Sequence, residues 1–236
     1  MNTDKLSNRL EMVASFVPVG ARLADIGSDH AYLPCYLAKK NLIDSAIAGE
    51  VVEGPFVSAS KQVQADGLSN KITVRMGNGL DVLQPGEVDC ITIAGMGGAL
   101  IASILERGKA KLENVKRLIL QPNISAISIR LWLIENGWEL LEEEILEEEG
   151  KIYEILVAEK GDPLSAYSNE KDRSLLFGPF LITRQQDAFM KKWSIERDNW
   201  KRIYEQLDHA ANTVETLQKK QDLFQKINWA EEFLPQ

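Results

Sequence analysis

The chain has 236 residues, 44% of them apolar and 26% charged, enough for one sizeable core or for an α/β domain with an appendage. A formal net charge of −8 speaks, taken alone, against a nucleic-acid partner. Two cysteines and two histidines match no zinc-site spacing, and the chain shows no signal peptide and no long uncharged apolar run. The expectation is a cytoplasmic protein with reduced thiols, no metal and no membrane span.

The opening LSNRLEMVASFVPVG places Leu6, Leu10, Val13 and Val17 at helical spacing, with Ser7 as cap and Pro18 to Gly20 as stop. ARLADIG reads as a short buried strand, and AYLPCYLAKKN as a helix that tolerates Pro34 in its first turn. SAIAGEV is a second strand and EGPFVSASKQVQADG its helix. KITVRMGNGLDVL holds a third strand and loop. VDCITIAGMGG is a fourth strand that ends in glycines, followed by the helix ALIASILERGKAKL. VKRLILQPN is a fifth strand, followed by the helix SAISIRLWLIENG. Five strand–helix alternations predict a parallel sheet covered on both faces.

The rhythm then breaks. WELLEEEIL and KIYEILVAEK are two strand-like runs too close for a helix between them, so they predict an antiparallel hairpin at the end of the sheet. A solvated glutamate helix is the alternative. Beyond Gly161 the composition shifts, so the expected domains are 1–160 and 161–236. Phe189, Trp193, Trp200, Ile203, Leu207, Val214, Leu217, Phe224 and Ile227 follow at steps of 3, 4 or 7, a coiled-coil-like seam. Asn212 marks a turn between two antiparallel helices, unless one long helix runs through.

The charge is unevenly spread. Residues 160–236 carry 12 basic and 12 acidic groups, and seven acids of the other half sit in 138–150 alone. The acidity is local and leaves room for a basic face elsewhere. Along the tail, Lys191, Lys192, Arg197 and Lys201 are candidates to grip RNA phosphates, although interleaved acids also fit an ordinary solvated helix.

In an open parallel sheet, ligands bind beyond the carboxyl ends of the strands. Asp25, Gly27 and Ser28 close the first strand, and Gly27 lets a ligand approach the backbone. Glu50, with Val51 behind it, closes the second, where a carboxylate suits a pair of ribose hydroxyls. Asn78 and Gly79 follow the third. Ala94, Gly95, Met96 and Gly97 follow the fourth, and Asn123 the fifth. A dinucleotide turn needs more glycines for its pyrophosphate. Here Asp29 and Tyr32 occupy the places of those glycines. An acid at 29 repels a pyrophosphate and favours a cation, which ranks S-adenosyl-L-methionine above NAD.

ADIGSDHAYLP, AGEV, GNGL, IAGMGG, LQPN and ENGW together resemble the bacterial TrmK-like tRNA (adenine-22 N1)-methyltransferase family over most of residues 5–160. The helical tail resembles that family's C-terminal domain. The resemblance implies a Rossmann-like S-adenosylmethionine domain, tRNA as substrate and N1 of an adenine as acceptor. In GNGL an asparagine stands where the family pattern implies an aspartate, and its carbonyl oxygen keeps the acceptor. Asn123, Met96 and His30 are the expected catalytic-pocket residues, with Tyr32 and Gly97 beside the base. Asp29 and His30 either line the pocket or cap the helix that Pro34 begins. Arg9 either touches an RNA phosphate or forms a plain surface salt bridge. The rival functions are methylation of another RNA or a small molecule, and a non-catalytic nucleotide-binding module whose tail is an interaction coil.

Overall fold

The computed structural model describes residues 2–167, 170–208 and 213–234. Asn212 therefore lies outside the described residues. Contacts divide the chain into two compact units, residues 1–180 and 181–236.

The first unit is a seven-stranded sheet in the order β3-β2-β1-β4-β5-β7-β6. Strands β1 (Ala21–Ile26), β2 (Ile43–Glu50), β3 (Ile72–Met76), β4 (Cys90–Gly97) and β5 (Arg117–Ile124) are mutually parallel. The cores of β1, β2, β4 and β5 are near-continuous apolar runs, as strands covered on both faces require, whereas β3 is a more exposed edge strand. Leu118, Ile119 and Leu120 of β5 are all fully buried. Helices α1 (Asn8–Ser15), α2 (Tyr32–Lys39), α3 (Glu53–Ala65), α4 (Gly98–Arg107) and α5 (Ala126–Glu135) cover the faces. Ser7 caps α1, its hydroxyl accepting the Leu10 N–H at 3.3 Å.

The hairpin forms as expected, joined by Glu149 and Gly150, both at positive φ. β7 (Lys151–Lys160) inserts between β5 and β6 (Trp138–Glu148), antiparallel to both. The glutamate run is thus strand, and its burial has a local cause. A register shift between Leu140 and Glu142 moves the inward phase from Trp138 and Leu140 to Glu143 and Ile145. Glu143 is consequently buried and meets the buried Arg130 of α5, whose Nε donates to it at 2.7 Å. Arg130 Nη2 donates to the buried Glu154 at 2.5 Å.

Arg130 also explains why the first unit runs past the composition break at 161. Its Nη1 donates to the Leu175 carbonyl at 3.1 Å, within α6 (Lys171–Phe177). Glu143 accepts the Phe180 N–H at 3.1 Å. The ion cluster stitches residues 171–180 to the sheet.

The short helix α7 (Pro179–Arg184) spans the division between the units. In the second unit, α8 (Asp187–Leu207) and α9 (Val214–Glu231) pack antiparallel. Phe189 meets Trp193 and Phe233, and Tyr204 meets Phe224. The apolar seam is buried only at one end. Phe189, Trp193 and Ile227 are buried, whereas Val214, Leu217 and Phe224 are exposed.

Candidate active site

The strand order reverses between β1 and β4, and the chain turns sharply at the carboxyl end of each. After Ile26 the backbone enters the left-handed region at Gly27, φ +74°, where a Cβ would run into the Met96 methyl. Asp29 and Ala31 also have positive φ, 52° and 55°, a conformation that costs a non-glycine residue roughly 1–2 kcal/mol. The strained turn lifts the Asp29 side chain into solvent while its amide points back to the sheet.

Glu50, buried at the end of β2, receives that amide. Its Oε1 accepts the Asp29 N–H at 2.6 Å and its Oε2 accepts the Val51 N–H at 3.2 Å. Each carboxylate oxygen keeps a further lone pair for a hydroxyl. Asp25 lies deeper. Its carboxylate accepts the Ser28 hydroxyl at 2.5 Å and the Thr92 hydroxyl at 2.6 Å. Burial pushes Asp25 above the ordinary carboxylate range; the two hydroxyls pull the other way, and Glu50 adds a smaller upward push.

Between the two turns lies a cavity of about 260 Å3. Its walls are Asp25, Gly27, Ser28 and Asp29 from the first turn and Ala94 and Gly95 from the second. Tyr32 and Leu33 of α2 and Arg9 and Leu10 of α1 complete it.

The second turn is held by amides. Gly95, at φ +81°, donates its N–H to Gln121 Oε1 at 2.9 Å. The same oxygen accepts Arg9 Nη1. Gln121 Nε2 donates to the Pro122 carbonyl at 2.9 Å and to Asn123 Oδ1 at 3.3 Å. Asn123 Nδ2 donates to the Gly95 carbonyl at 2.7 Å. These bonds fix the Asn123 amide in one orientation and leave it a spare donor and acceptor on its exposed side.

The cavity therefore gathers eight of the residues expected from the sequence: Arg9, Asp25, Gly27, Ser28, Asp29, Tyr32, Ala94 and Gly95. Glu50 and Val51 stand behind Asp29. Met96 packs on Gly27, and Gly97 pairs with Ile124. Asn78 and Gly79 lie after β3, outside the cavity wall, where Asn78 is exposed.

Two expectations change. Arg9 is no surface salt bridge: it sits in the cavity wall, bonded to Gln121 and stacked over the Tyr153 ring at 5.2 Å. Nor do Asp29 and His30 cap α2, whose N-cap is Ala31 with no side-chain cap bond. His30 lies outside the cavity wall, its ring stacked on Tyr32 at 5.1 Å and its Nδ1 2.9 Å from Asp29 Oδ1.

Sequence reasoning missed Thr92, Tyr153 and the organising role of Gln121. For Gln121 a signal existed, a lone amide ending the apolar run LIL. Thr92 hid inside the buried run CITI, and Tyr153 reaches the site only through the pairing of β7 with β5.

Lys191, Lys192, Arg197 and Lys201 all lie on α8. Arg197 pairs with Asp198 at 2.9 Å and Lys201 with Glu231 at 2.5 Å, while Lys192 lies over the Trp193 ring at 4.7 Å. Among the described residues no His, Cys, Asp and Glu group is placed to hold a metal. None of their helices is long and apolar enough to cross a membrane. Both cysteines are buried free thiols that burial pushes up to about 12, so neither is a thiolate at neutral pH.

This sheet order, with a glycine turn after β1, an acid closing β2 and an acidic cavity at the switch point, defines the class of Rossmann-like S-adenosylmethionine-dependent methyltransferases. The model of the tRNA (adenine(22)-N(1))-methyltransferase family, TrmK, matches residues 23–232. The chain belongs to that family. It is 51% identical, over 99% of both chains, to the tRNA (adenine(22)-N(1))-methyltransferase of Bacillus subtilis strain 168. The crystal structure of the B. subtilis M1A22 tRNA methyltransferase TrmK superposes with a TM-score of 0.95 at 50% identity, covering 98% of this chain and 100% of that one. A Streptococcus pneumoniae structure in complex with S-adenosyl-L-methionine superposes with a TM-score of 0.83 at 48% identity, covering 98% and 100%.

Proposed function

We propose that this chain transfers a methyl group from S-adenosyl-L-methionine to N1 of the adenine at position 22 of tRNA. The observation that carries the reading is the pairing of an acidic turn with an amide-held turn across one cavity, in a chain of this family.

The residues fit the cofactor. It is a cation without phosphates, and the first turn offers carboxylates and close backbone approach at Gly27. Glu50 suits the ribose hydroxyls, and Val51, Asn78 and Gly79 the adenosine end. Asp25, Ser28 and Asp29 suit the end that bears the ammonium and sulfonium. When bound, the cofactor supplies an electrophilic methyl on sulfur.

Adenine N1 carries an in-plane lone pair, so the acceptor needs no base to remove a proton. The chain's contribution is placement, bringing N1 to about 3–3.5 Å from the methyl carbon. N1 lies on the Watson–Crick edge, so the base must leave any pairing and enter a pocket. Asn123 presents its free acceptor to the N6 amino group, which guanine lacks. Met96 and Gly97 wall the base side, and Tyr32 closes the cavity between base and cofactor. Arg9, held by Gln121, adds the one cation of the cavity wall. His30 acts through Tyr32.

Lys191, Lys192, Arg197 and Lys201 give the helical unit its basic contacts to tRNA phosphates. The division of labour is then a cofactor domain followed by a tRNA-binding tail. A cytoplasmic location, where tRNA is modified, suits both.

Incubation with labelled S-adenosyl-L-methionine and unmodified bulk tRNA, followed by nucleoside analysis, tests the reading. The expected product is N1-methyladenosine, lost when position 22 of a transcript is changed from adenine to guanine. A different methylated nucleoside, or none, overturns it.

A further inference from the structure

The strand that carries Gln121 and Asn123 ends on Ile124, which is 72% exposed. A single exposed isoleucine is ordinary on a protein surface. The manner in which this one is held is not. On its N-terminal side Asn123 is tied to the Gly95 carbonyl at 2.7 Å. On its C-terminal side Ser125 has φ +59°, a left-handed serine, and its hydroxyl lies 2.8 Å from that of Ser128. The Ser125 carbonyl presses so close to Gly98 that any Cβ there would collide. Ile124 itself pairs with Gly97, where a Cβ would stand 3.8 Å from its Cγ1. A strained turn, the close approach at Gly98 and an amide bond thus flank a large apolar side chain that stands out in water, at the lip of the loop that walls the base pocket. Leu100, on the first turn of α4, is 50% exposed beside that loop.

An adenine that presents N1 to a methyl donor has left its stack, and the stack it leaves has a gap. Proteins that open nucleic-acid stacks fill such gaps with apolar side chains. A β-branched residue suits the task because its χ1 is stiff. We propose that Ile124 is the substrate-positioning wedge that occupies the place vacated by the target adenine and so holds the base in the pocket. The proposal rests on the tRNA-adenine reading above.

The test places 2-aminopurine at the target position of a tRNA transcript and compares wild type, Ile124→Ser and Ile124→Leu. Wild-type protein saturated with S-adenosyl-homocysteine should raise the fluorescence as the base leaves its stack. Ile124→Ser should bind tRNA and S-adenosyl-homocysteine as wild type does, with an unchanged melting temperature. It should give less than half the fluorescence rise and a kcat on unlabelled tRNA lower by about tenfold, part of the cost of keeping a base unstacked. Ile124→Leu should recover most of both. A serine variant that matches wild type in fluorescence and kcat overturns the wedge, and so does one that loses only tRNA affinity. If the wild type forms no N1-methyladenosine, the functional reading fails instead.

Discussion

Two glycine turns close neighbouring strands of one sheet, and they are furnished with opposite chemistry. The turn after β1 is set among carboxylates: Asp25 beneath it, Asp29 at its tip and Glu50 holding its amide. The turn after β4 is held by neutral amides, Gln121 on the Gly95 N–H and Asn123 on the Gly95 carbonyl. A carboxylate attracts a cation and accepts hydroxyl protons. A neutral amide offers one donor and one acceptor in fixed positions, which suits an uncharged base. On the proposed reading the carboxylates mark the cofactor side of the cavity and the amides, with Arg9 bonded to Gln121, mark the base side.

The difference can be broken most sharply at Glu50. Glu50→Ala should weaken S-adenosyl-homocysteine binding by about 100-fold, the worth of hydrogen bonds to a charged acceptor. Titration calorimetry measures it, and an affinity within a few-fold of wild type would take Glu50 out of the cofactor site.

Gln121 ties the second turn to the shared cavity wall, because one oxygen serves both Gly95 and Arg9, which lines the cavity with the first turn. Gln121→Leu should lower both S-adenosyl-homocysteine affinity and kcat/KM, each by about 30-fold, since a buried donor left unpaired costs about 1–3 kcal/mol. Asn123→Ala should lower kcat/KM by about tenfold and leave cofactor affinity alone. If the leucine variant moves only one of the two quantities, Gln121 does not bridge the sides.

Asp25 sharpens the cofactor side through pH. Burial holds its carboxyl above 3.8. Such a group contributes stability that is full below the unfolded pKa and is lost as pH rises through the raised folded pKa. Asp25→Asn removes that loss, so its urea midpoint should gain on wild type as pH climbs from about 4 toward neutrality. A constant offset across the range would mean that Asp25 titrates as it does in the unfolded chain.

Much of this arrangement could be read from the chain alone, and what could not be read has a physical pattern. Gly27, Glu50 and the AGMGG loop were visible because strand ends are legible from apolar runs that stop at glycines and acids. The hairpin was visible in the alternation of IYEILVA. The burial of Glu143 was not, because it follows from a register shift that no local pattern announces. The end of the first unit near 180 was hidden for the same reason, since the buried Arg130 that anchors α6 reads as one more charge on a helix. Arg9 looked like a surface residue because its partners, Gln121 and Tyr153, are more than a hundred positions away.

His30 offers the smallest expected effect, and it tests where the acidic side ends. As one of two histidines, set beside an aspartate in the ligand turn, it invites a catalytic role. Its side chain is instead 44% exposed, near Asp29, and flat against Tyr32 with 10° between the rings. Of the two stacked rings, Tyr32 lines the cavity and His30 does not. A stacked ring pair is worth about 0.5–1.5 kcal/mol, and an exposed polar contact less than about 1. His30→Ala should therefore slow methyl transfer by no more than about threefold, through a looser Tyr32. Tyr32→Ala should cost more than His30→Ala in single-turnover rate. A loss of about 100-fold in His30→Ala at unchanged fold would show that the imidazole reaches the reacting atoms, and that the acidic turn carries chemistry as well as charge.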